Sequence, residues 1–245
     1  SPSDSPSPVL EPRIPASDTT GLELFPEKDV VAISVGGELF DLDRALSLGV
    51  EVSPVVASSE EGLAILRHST AHVLAQAVQK LFPVAKLGIG PPITDGFYYD
   101  FDVAEAFTPE DLSLLEKEMQ RIVKQGQLFA RRVVSAAEAT TELSAEPYKL
   151  ELITLKDKAQ EGEASESVEV GGGELTIYDN VDPKSGDVMW KDLCRGPHVH
   201  STRVLGNGWK LTRLAAAYWR GSEANPQLQR IYGTAWANKD DLRAH

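Results

Sequence analysis

Residues 58–83 read SSEEGLAILRHSTAHVLAQAVQKLFP, and this stretch is central to the predicted fold. Its apolar side chains recur at the spacing of three and four residues that is typical of an α-helix. Ser58 and Glu61 match the S-x-x-E pattern of a capping box, which predicts that the helix begins there. Pro83 cannot continue a helix and marks its end. The sequence therefore predicts one long helix across this stretch.

Strand-like segments lie on both sides of this helix. Residues 29–35 (DVVAISV) are β-branched and apolar, and residues 50–56 alternate apolar and polar side chains. Residues 88–103 place Gly-Pro and Asp-Gly turns around an aromatic strand. Further strands are predicted at 175–180, 188–193, 209–214 and 230–236.

Three more helices and one loop complete the predicted elements. Thr108 and Pro109 open a helix that ends near Gly126, and further helices begin at Ser135 and Asn238. The acidic, glycine-rich residues 156–174 predict an exposed loop. Separate runs of helix and strand indicate an α+β fold rather than alternating β-α units.

The composition is that of an ordinary globular chain. Of its 245 residues, 42% are hydrophobic and 25% are charged, which is typical of about one to two domains. No apolar run approaches the ~18 residues of a membrane span, so no membrane association is expected. Cys194 is the single cysteine, which excludes an internal disulfide framework and favours the reducing cytoplasm.

Charge is distributed unevenly along the chain. The net charge of −13 argues against generic, sequence-blind nucleic-acid binding. Residues 184–230 nevertheless hold eight Lys and Arg against three acids, so this segment is +5 and the rest of the chain is −18. The ordinary interpretation is a solvated mixed surface, and the sharper one is a basic face on an acidic protein.

Two short motifs contain three of the five histidines and the only cysteine. HSTAH places His68 and His72 four residues apart, on one face of the predicted helix. CRGPH places Cys194 and His198 on either side of a Gly-Pro turn, which can aim both side chains into one cleft. Each motif alone is ordinary, because paired histidines are commonly solvated and single cysteines are commonly buried. Their joint occurrence favours a functional site.

These four side chains suit two kinds of site. Three imidazoles and one thiol match a tetrahedral zinc ligand set in type and number. They equally match a metal-free hydrolytic site, in which imidazoles move protons and position water. The residues alone leave both alternatives open.

Five segments together resemble a known family. They closely resemble, in order and spacing, the N-terminal half of bacterial threonyl-tRNA synthetases of actinobacterial type, over roughly residues 18–245. Alanyl-tRNA synthetase editing domains share the looser histidine pattern but lack the GFYYDF and IYGTAW blocks. The segments are HSTAHVLAQAV (68–78), GIGPPITDGFYYDFD (88–102), EPYKLEL (146–152), KDLCRGPHV (191–199) and AAAYWRGSEANPQLQRIYGTAW (215–236).

The resemblance implies a domain plan. Residues 19–60 would form a small β-grasp (TGS) domain, and residues 62–225 a two-layer α+β editing domain with an antiparallel sheet and a long helix. Residues 1–18 would be a disordered or irregular lead-in, and residues 226–245 would lead into an aminoacylation core. No class II synthetase motif is visible, so aminoacylation is not expected. The fragment is expected to be a monomer, and the full-length synthetase a dimer.

The implied activity is proofreading hydrolysis of mischarged Ser-tRNA(Thr) by activated water. Serine lacks one methyl group of threonine, and binding can reject that difference by only about 1–3 kcal/mol. A second site must therefore remove serine from the acceptor end of tRNA(Thr), the expected partner, without a cofactor. A zinc-binding module and a non-catalytic tRNA-binding fragment remain the alternatives.

The resemblance also implies roles for individual residues. The histidines would orient or activate water, the lysine would position water or stabilise negative charge, and the cysteine would crowd the methyl group of threonine. The implied catalytic set is His68, His72, Lys149, Asp192, Cys194 and His198. The implied substrate-binding set, for the terminal adenosine and the acceptor-stem phosphates, is Tyr99, Arg195, Arg213 and Arg220. His200 replaces the proline usual in the family, and we expect it to be a surface substitution.

Overall fold

The computed structural model describes residues 9–159 and 173–245. The lead-in prediction for residues 1–8 and most of the loop prediction for residues 156–174 lie outside these ranges. None of the described helices combines the length and hydropathy needed to cross a bilayer.

The first unit of the chain is small and consists mainly of strands. Strand β1 (Thr19–Thr20) is followed by helix α1 (Gly21–Leu24) and pairs antiparallel with β4 (Ala45–Leu46). Strand β2 (Val30–Val35) lies between β3 (Glu38–Phe40) and β5 (Ser53–Val56), antiparallel to both. The unit has a core of its own, built from Phe25, Val30, Ile33, Leu42 and Val52. The predicted strand at 29–35 is confirmed, and the one at 50–56 is shorter than predicted.

The lead-in at residues 9–18 has no helix or regular strand, but it is attached to this small unit through Arg13. The backbone of Arg13 exchanges two hydrogen bonds with Val52, at 2.9 and 2.8 Å. Its guanidinium donates to Glu27 and lies 4.7 Å from the centre of the Phe25 ring. These contacts hold an otherwise irregular segment against the strands.

The long helix α2 (Glu60–Leu81) is confirmed, but its predicted cap is wrong by one residue. Ser59, not Ser58, caps the helix by accepting a hydrogen bond from the Gly62 N–H at 3.0 Å. The close approach of β5 fixes this start, because a Cβ at Gly62 would lie 1.9 Å from the carbonyl oxygen of Val56. Every residue at 65–78 is buried, so α2 is a central helix covered on all sides.

A five-stranded antiparallel sheet and a second helix pack against α2. The sheet has the order β12-β13-β8-β6, with β7 paired to β8. Its strands are β6 (Lys86–Leu87), β7 (Pro92–Ile93), β8 (Gly96–Asp102), β12 (Trp209–Tyr218) and β13 (Gln227–Ala235). Helix α3 (Pro109–Gln125) begins at a capping box formed by Thr108 and Asp111 and ends at Gly126, whose φ is 65°. Both boundaries are as predicted.

A three-stranded antiparallel sheet has the order β11-β10-β9. Its strands are β9 (Leu128–Val133), β10 (Thr176–Val181) and β11 (Val188–Leu193). Helix α4 (Ala136–Glu142) begins at the predicted capping box of Ser135 and Glu138, and α6 (Lys239–Ala244) begins at Asn238 as predicted. Helix α5 (Pro147–Ala159) was not predicted. Helices combined with antiparallel sheets confirm the α+β class.

Candidate active site

Six side chains from distant parts of the sequence meet in one buried cluster between α2, α5 and the end of β11. The structure thereby brings the whole predicted catalytic set together, and each member is at most 5% exposed. The members are His68 and His72 of α2, Lys149 of α5, Asp192 of β11, and Cys194 and His198 of the loop that follows.

The thiol of Cys194 lies between a histidine of α2 and a histidine of the loop after β11. Its Sγ lies 3.3 Å from Nε2 of His68 and 3.4 Å from Nε2 of His198. The Gly196 N–H donates to the same sulfur at 3.2 Å. Ser69, beside His68 in the helix, holds the far side of the His198 ring through a 2.9 Å contact between its Oγ and Nδ1. The thiol and both rings are therefore fixed from several directions.

Asp192 and Lys149 form a buried ion pair beside the imidazoles. Oδ1 of Asp192 lies 3.1 Å from the Lys149 ammonium, and both side chains are almost fully enclosed. Oδ2 accepts a hydrogen bond from the Tyr99 hydroxyl at 2.7 Å and lies 3.6 Å from Nε2 of His72. Tyr99 is 1% exposed, so here its hydroxyl positions the carboxylate of Asp192.

Burial determines the charge state of the three imidazoles. It lowers the pKa of His68 to about 3, and the positive charges of Arg195 and Lys149 act in the same direction. Burial also lowers the pKa of His72 and of His198 well below the usual value, again reinforced by neighbouring groups. All three rings are therefore neutral at pH 7 and can accept hydrogen bonds or protons.

Burial acts in the opposite direction on the carboxylate. It raises the pKa of Asp192, while the charge of Lys149 and the hydrogen bond from Tyr99 oppose the rise. The ion pair therefore keeps a charged carboxylate in a place that otherwise disfavours it.

A cavity of about 430 Å³ opens onto His68. Arg195, Gly196 and Pro197 of the CRGPH loop form one wall, and Ile65 of α2 and Pro92 of β7 also line it. A larger cavity of about 670 Å³ lies on the other side of the same loop, against the small N-terminal unit. Both volumes fall within the range of small-molecule binding clefts, and only the first cavity is lined by His68.

The predicted substrate-binding arginines occupy three different places. Arg195 is exposed and lies between the two cavities. Arg213 lies over the ring of Tyr232, 3.8 Å from its centre, and these residues pair in register with Tyr98. Side chains alternate across a strand, so this row is on the sheet face opposite Tyr99 and the cluster.

Two further positions complete the placement of the predicted residues. Arg220 donates to Glu151 of α5 at 3.2 Å, outside the cluster. His200 is half-buried, and its carbonyl accepts a hydrogen bond from the Phe129 N–H at 3.1 Å. The structure thus brings Arg195 to the site and places Arg213 and Arg220 elsewhere.

Sequence reasoning missed the residues that hold His198 in place. Ser69 lies within HSTAH, where its position in the motif was a visible signal. Asp41 accepts a hydrogen bond from the His198 N–H, and the Tyr178 ring packs edge-on against the imidazole. Neither Asp41 nor Tyr178 has a local sequence signal, because both act across long separations in the chain.

Comparison with known proteins gives a family match to part of the chain and relatives that match most of it. A family described as "Threonyl and Alanyl tRNA synthetase second additional domain" matches residues 168–232. The chain is 67% identical over 229 residues to the threonine--tRNA ligase of Leifsonia xyli subsp. xyli, which is 92% of this chain and 33% of that protein. The resemblance to threonyl-tRNA synthetases is confirmed.

Other threonyl-tRNA synthetases match to a similar extent. Identity is 64% over 236 residues to the threonine--tRNA ligase of Streptomyces griseus subsp. griseus, covering 96% of this chain and 36% of that protein. Identity to the threonine--tRNA ligase of Micrococcus luteus is 61% over 228 residues, covering 93% of this chain and 34% of that protein. The chain thus spans about a third of the length of these synthetases. The 168–232 family match includes Asp192, Cys194 and His198.

The histidines and the cysteine also satisfy the first requirements of a metal centre. Four ligand atoms, one each from His68, His72, Cys194 and His198, all lie within 4.8 Å of one another. Bonds of about 2.0–2.3 Å in a tetrahedral zinc site separate neighbouring ligand atoms by roughly 3.3–3.8 Å. The distances from Sγ to His68 and His198, at 3.3 and 3.4 Å, meet this requirement. The donor set therefore fits zinc in type and approximate spacing.

Proposed function

We propose that this chain carries a proofreading site that hydrolyses the ester between serine and tRNA(Thr). The main support is the meeting of neutral imidazoles, a thiol and a Lys149–Asp192 pair beside a cavity. The likeness to threonyl-tRNA synthetases supplies the substrate class, an amino acid esterified to the tRNA 3′ end. Discrimination against serine at a synthetic site is limited to a few kcal/mol, so such an enzyme needs a second site.

The arrangement suggests how water could be activated. His68 is the cluster member that lines the cavity, so its neutral imidazole is placed to orient a water against the ester carbonyl. The water attacks the carbonyl carbon and gives its proton to the imidazole. The tetrahedral intermediate then collapses, and the ribose oxygen leaves with that proton. Serine and the free tRNA 3′ end are the products.

We expect stabilisation of negative charge to contribute more to the rate than proton transfer to His68. An imidazole with a pKa of about 3 is a weak base, so it contributes little driving force by itself. The Lys149 ammonium, held by Asp192 at 3.1 Å, is near enough to His68 to lower the pKa of that ring, so its positive charge also acts on negative charge that develops beside His68. The charge is already in place and desolvated, so it needs no reorganisation during the reaction.

We assign selectivity against threonine to Cys194. Its sulfur is fixed by two imidazoles and by the Gly196 N–H, so it cannot easily move away from an added methyl group. Forcing one extra methyl group into a packed site costs typically about 1–3 kcal/mol. Cys194→Ala should therefore increase hydrolysis of the threonyl ester more than that of the seryl ester.

The rest of the chain fits this activity as a supporting frame. We assign residues 19–60 to a TGS-type β-grasp domain and residues 62–225 to the editing domain. Residues 226–245 are the predicted connection, but β13 within them is paired between β12 and β8, so the editing sheet extends to Ala235 and the connection begins after it. The partner is the acceptor end of tRNA(Thr), with Arg195 meeting its phosphates at the cavity mouth. Such a substrate places the activity in the cytoplasm, and we expect the isolated chain to be monomeric.

A deacylation time course tests the proposal. Ser-tRNA(Thr) and Thr-tRNA(Thr) are incubated with the wild-type chain, with His68→Ala and with His200→Ala as the matched histidine control outside the cluster. We expect wild type to hydrolyse the seryl ester selectively. His68→Ala should slow this hydrolysis strongly, because the attacking water is then no longer oriented, and His200→Ala should leave the rate unchanged. Equal loss of both esters would contradict selectivity. Retention of tRNA without hydrolysis would instead favour a non-catalytic binding module.

Zinc binding is the second candidate function, because the four ligand atoms lie within 4.8 Å of one another. Metal analysis of the purified chain, followed by zinc titration, separates it from the first. A metal-free hydrolase keeps its activity in the presence of a chelator and contains zinc well below one ion per chain. If the chain instead holds one zinc ion tightly and loses its activity on chelation, the hydrolysis depends on a metal centre.

A further inference from the structure

One carboxylate of the small N-terminal unit reaches into the wall of the active site. Asp41 follows β3 and is 7% exposed. Its Oδ1 accepts a hydrogen bond from the backbone N–H of His198 at 2.8 Å, and its Oδ2 accepts one from the Tyr178 hydroxyl at 2.7 Å. Both partners lie more than a hundred residues further along the chain.

These two hydrogen bonds hold two groups that position the His198 imidazole, its own backbone and the Tyr178 ring. The backbone contact fixes the main chain at His198, next to the turn that carries Cys194. The Tyr178 ring packs edge-on against the His198 ring at 4.6 Å, and Phe129 stacks on the same imidazole at 4.7 Å. Asp41 therefore holds both the backbone and one ring contact of His198.

The Tyr178 hydroxyl also lies close against the turn that follows Cys194. A Cβ at Gly196 would lie 2.0 Å from the hydroxyl oxygen of Tyr178. The hydroxyl, the Gly196 backbone and the Asp41 carboxylate are thus packed tightly together. Burying a carboxylate costs free energy unless it is well hydrogen-bonded, and here both oxygens have donors.

We propose that Asp41 is a positioning residue of the hydrolytic site, so the N-terminal unit forms part of that site. The inference rests on the hydrolytic function proposed above. Asp41 acts through His198 and Tyr178 and does not touch substrate. Its loss leaves the His198 N–H and the Tyr178 hydroxyl without their acceptor, and the CRGPH loop then moves relative to His68.

Steady-state deacylation of Ser-tRNA(Thr) by four forms of the whole chain tests this role. The forms are wild type, Asp41→Ala, Asp41→Asn and Asp43→Ala, the last removing an exposed carboxylate from the same loop. We expect Asp41→Ala to lower kcat on the order of 10–100-fold with little change in KM. Asp41→Asn keeps an oxygen acceptor for the His198 N–H and should restore most of kcat, and Asp43→Ala should match wild type.

The outcomes separate this inference from the proposed function. If Asp41→Ala keeps the wild-type kcat, or if KM alone changes, the positioning role is overturned. An Asp41→Asn variant as inactive as Asp41→Ala, while equally well folded by circular dichroism, also overturns it. If the wild-type chain itself hydrolyses no ester, the proposed function fails, and a second measurement then decides the structural link.

That second measurement is the rate at which a small thiol reagent modifies Cys194. The thiol is fully buried, so the rate reports opening of the loop that contains it. We expect Asp41→Ala to accelerate modification at least as strongly as Tyr178→Phe, and Asp43→Ala to leave it unchanged. Equal rates in wild type and Asp41→Ala would show that Asp41 does not hold the loop.

Discussion

Removal of the Lys149 ammonium should be among the most destabilising single changes in this chain. Lys149→Met keeps most of the apolar length of the side chain but leaves Asp192 without its ion-pair partner. The two side chains are 0% and 1% exposed, so water cannot replace the lost interaction. An exposed pair would contribute only about 0–1 kcal/mol, whereas breaking a buried pair costs about 3–5 kcal/mol.

The pH dependence of this loss has a defined sign. Burial already raises the pKa of Asp192, and removing the opposing charge of Lys149 raises it further. The folded variant then binds a proton that the unfolded chain, with an Asp pKa near 3.9, has released. Stability therefore falls as pH rises from about 4 toward the folded-state pKa, by at most ~1.4 kcal/mol per pH unit.

Urea denaturation followed by fluorescence of the four tryptophans measures both effects. Lys149→Met should lose more stability at about pH 8 than at about pH 5.5. Lys149→Met combined with Asp192→Asn should be more stable than Lys149→Met alone at about pH 8, since no unpaired charge is then buried. A loss below about 1 kcal/mol in the single variant, or no recovery in the double variant, would refute this account of the pair.

Three further predictions follow from local geometry. The clustered imidazoles have lowered pKa values, so their NMR signals should not titrate between about pH 7.5 and 5. Their contribution to the stability of the fold should be lost as pH falls below about 6.5, and titration like that of free histidine would contradict both expectations. Gly196→Ala should lower the stability of the fold by about 1–3 kcal/mol more than Gly186→Ala does. Both glycines have positive φ, but only a Cβ at position 196 would clash with the Tyr178 hydroxyl. Equal losses of stability in the two variants would contradict the importance of this contact. Ser59→Ala should lower the free energy of unfolding by about 1 kcal/mol, and Ser58→Ala should leave it almost unchanged. The reverse order in urea denaturation would show that Ser58 is the cap, as predicted from sequence.

Most helix boundaries could be predicted from sequence, because a capping motif consists of a few adjacent residues. Thr108, Gly126 and Ser135 mark boundaries that the structure reproduces. Helix α5 was missed because its buried face is chemically mixed. Tyr148 and Ile153 are buried with apolar neighbours, whereas the fully buried Lys149 faces a carboxylate. A buried charge interrupts the apolar period on which helix prediction depends.

The site was predictable only as far as its motifs extend. HSTAH and CRGPH are local, and their chemistry indicated one cluster. The partners that set the charge and position of these groups are remote. Tyr99 and Asp192 are 93 residues apart in sequence, and Asp41 and His198 are 157 apart. No local pattern in the sequence connects residues that are so far apart along the chain.

The charges around His68 bear on the choice between hydrolysis and zinc. Lys149 and Arg195 are both close enough to lower the pKa of His68, which means that they disfavour positive charge on its ring. The same repulsion would act on a dication bound to that imidazole, and more strongly because the charge is doubled. A transition state that develops negative charge beside His68 has the opposite sign and is stabilised by both cations. These two cations therefore support the proposed ester hydrolysis, whereas the close spacing of the four donor atoms supports zinc, which would also turn Cys194 into a thiolate of opposite charge. Metal analysis of the purified chain separates the two.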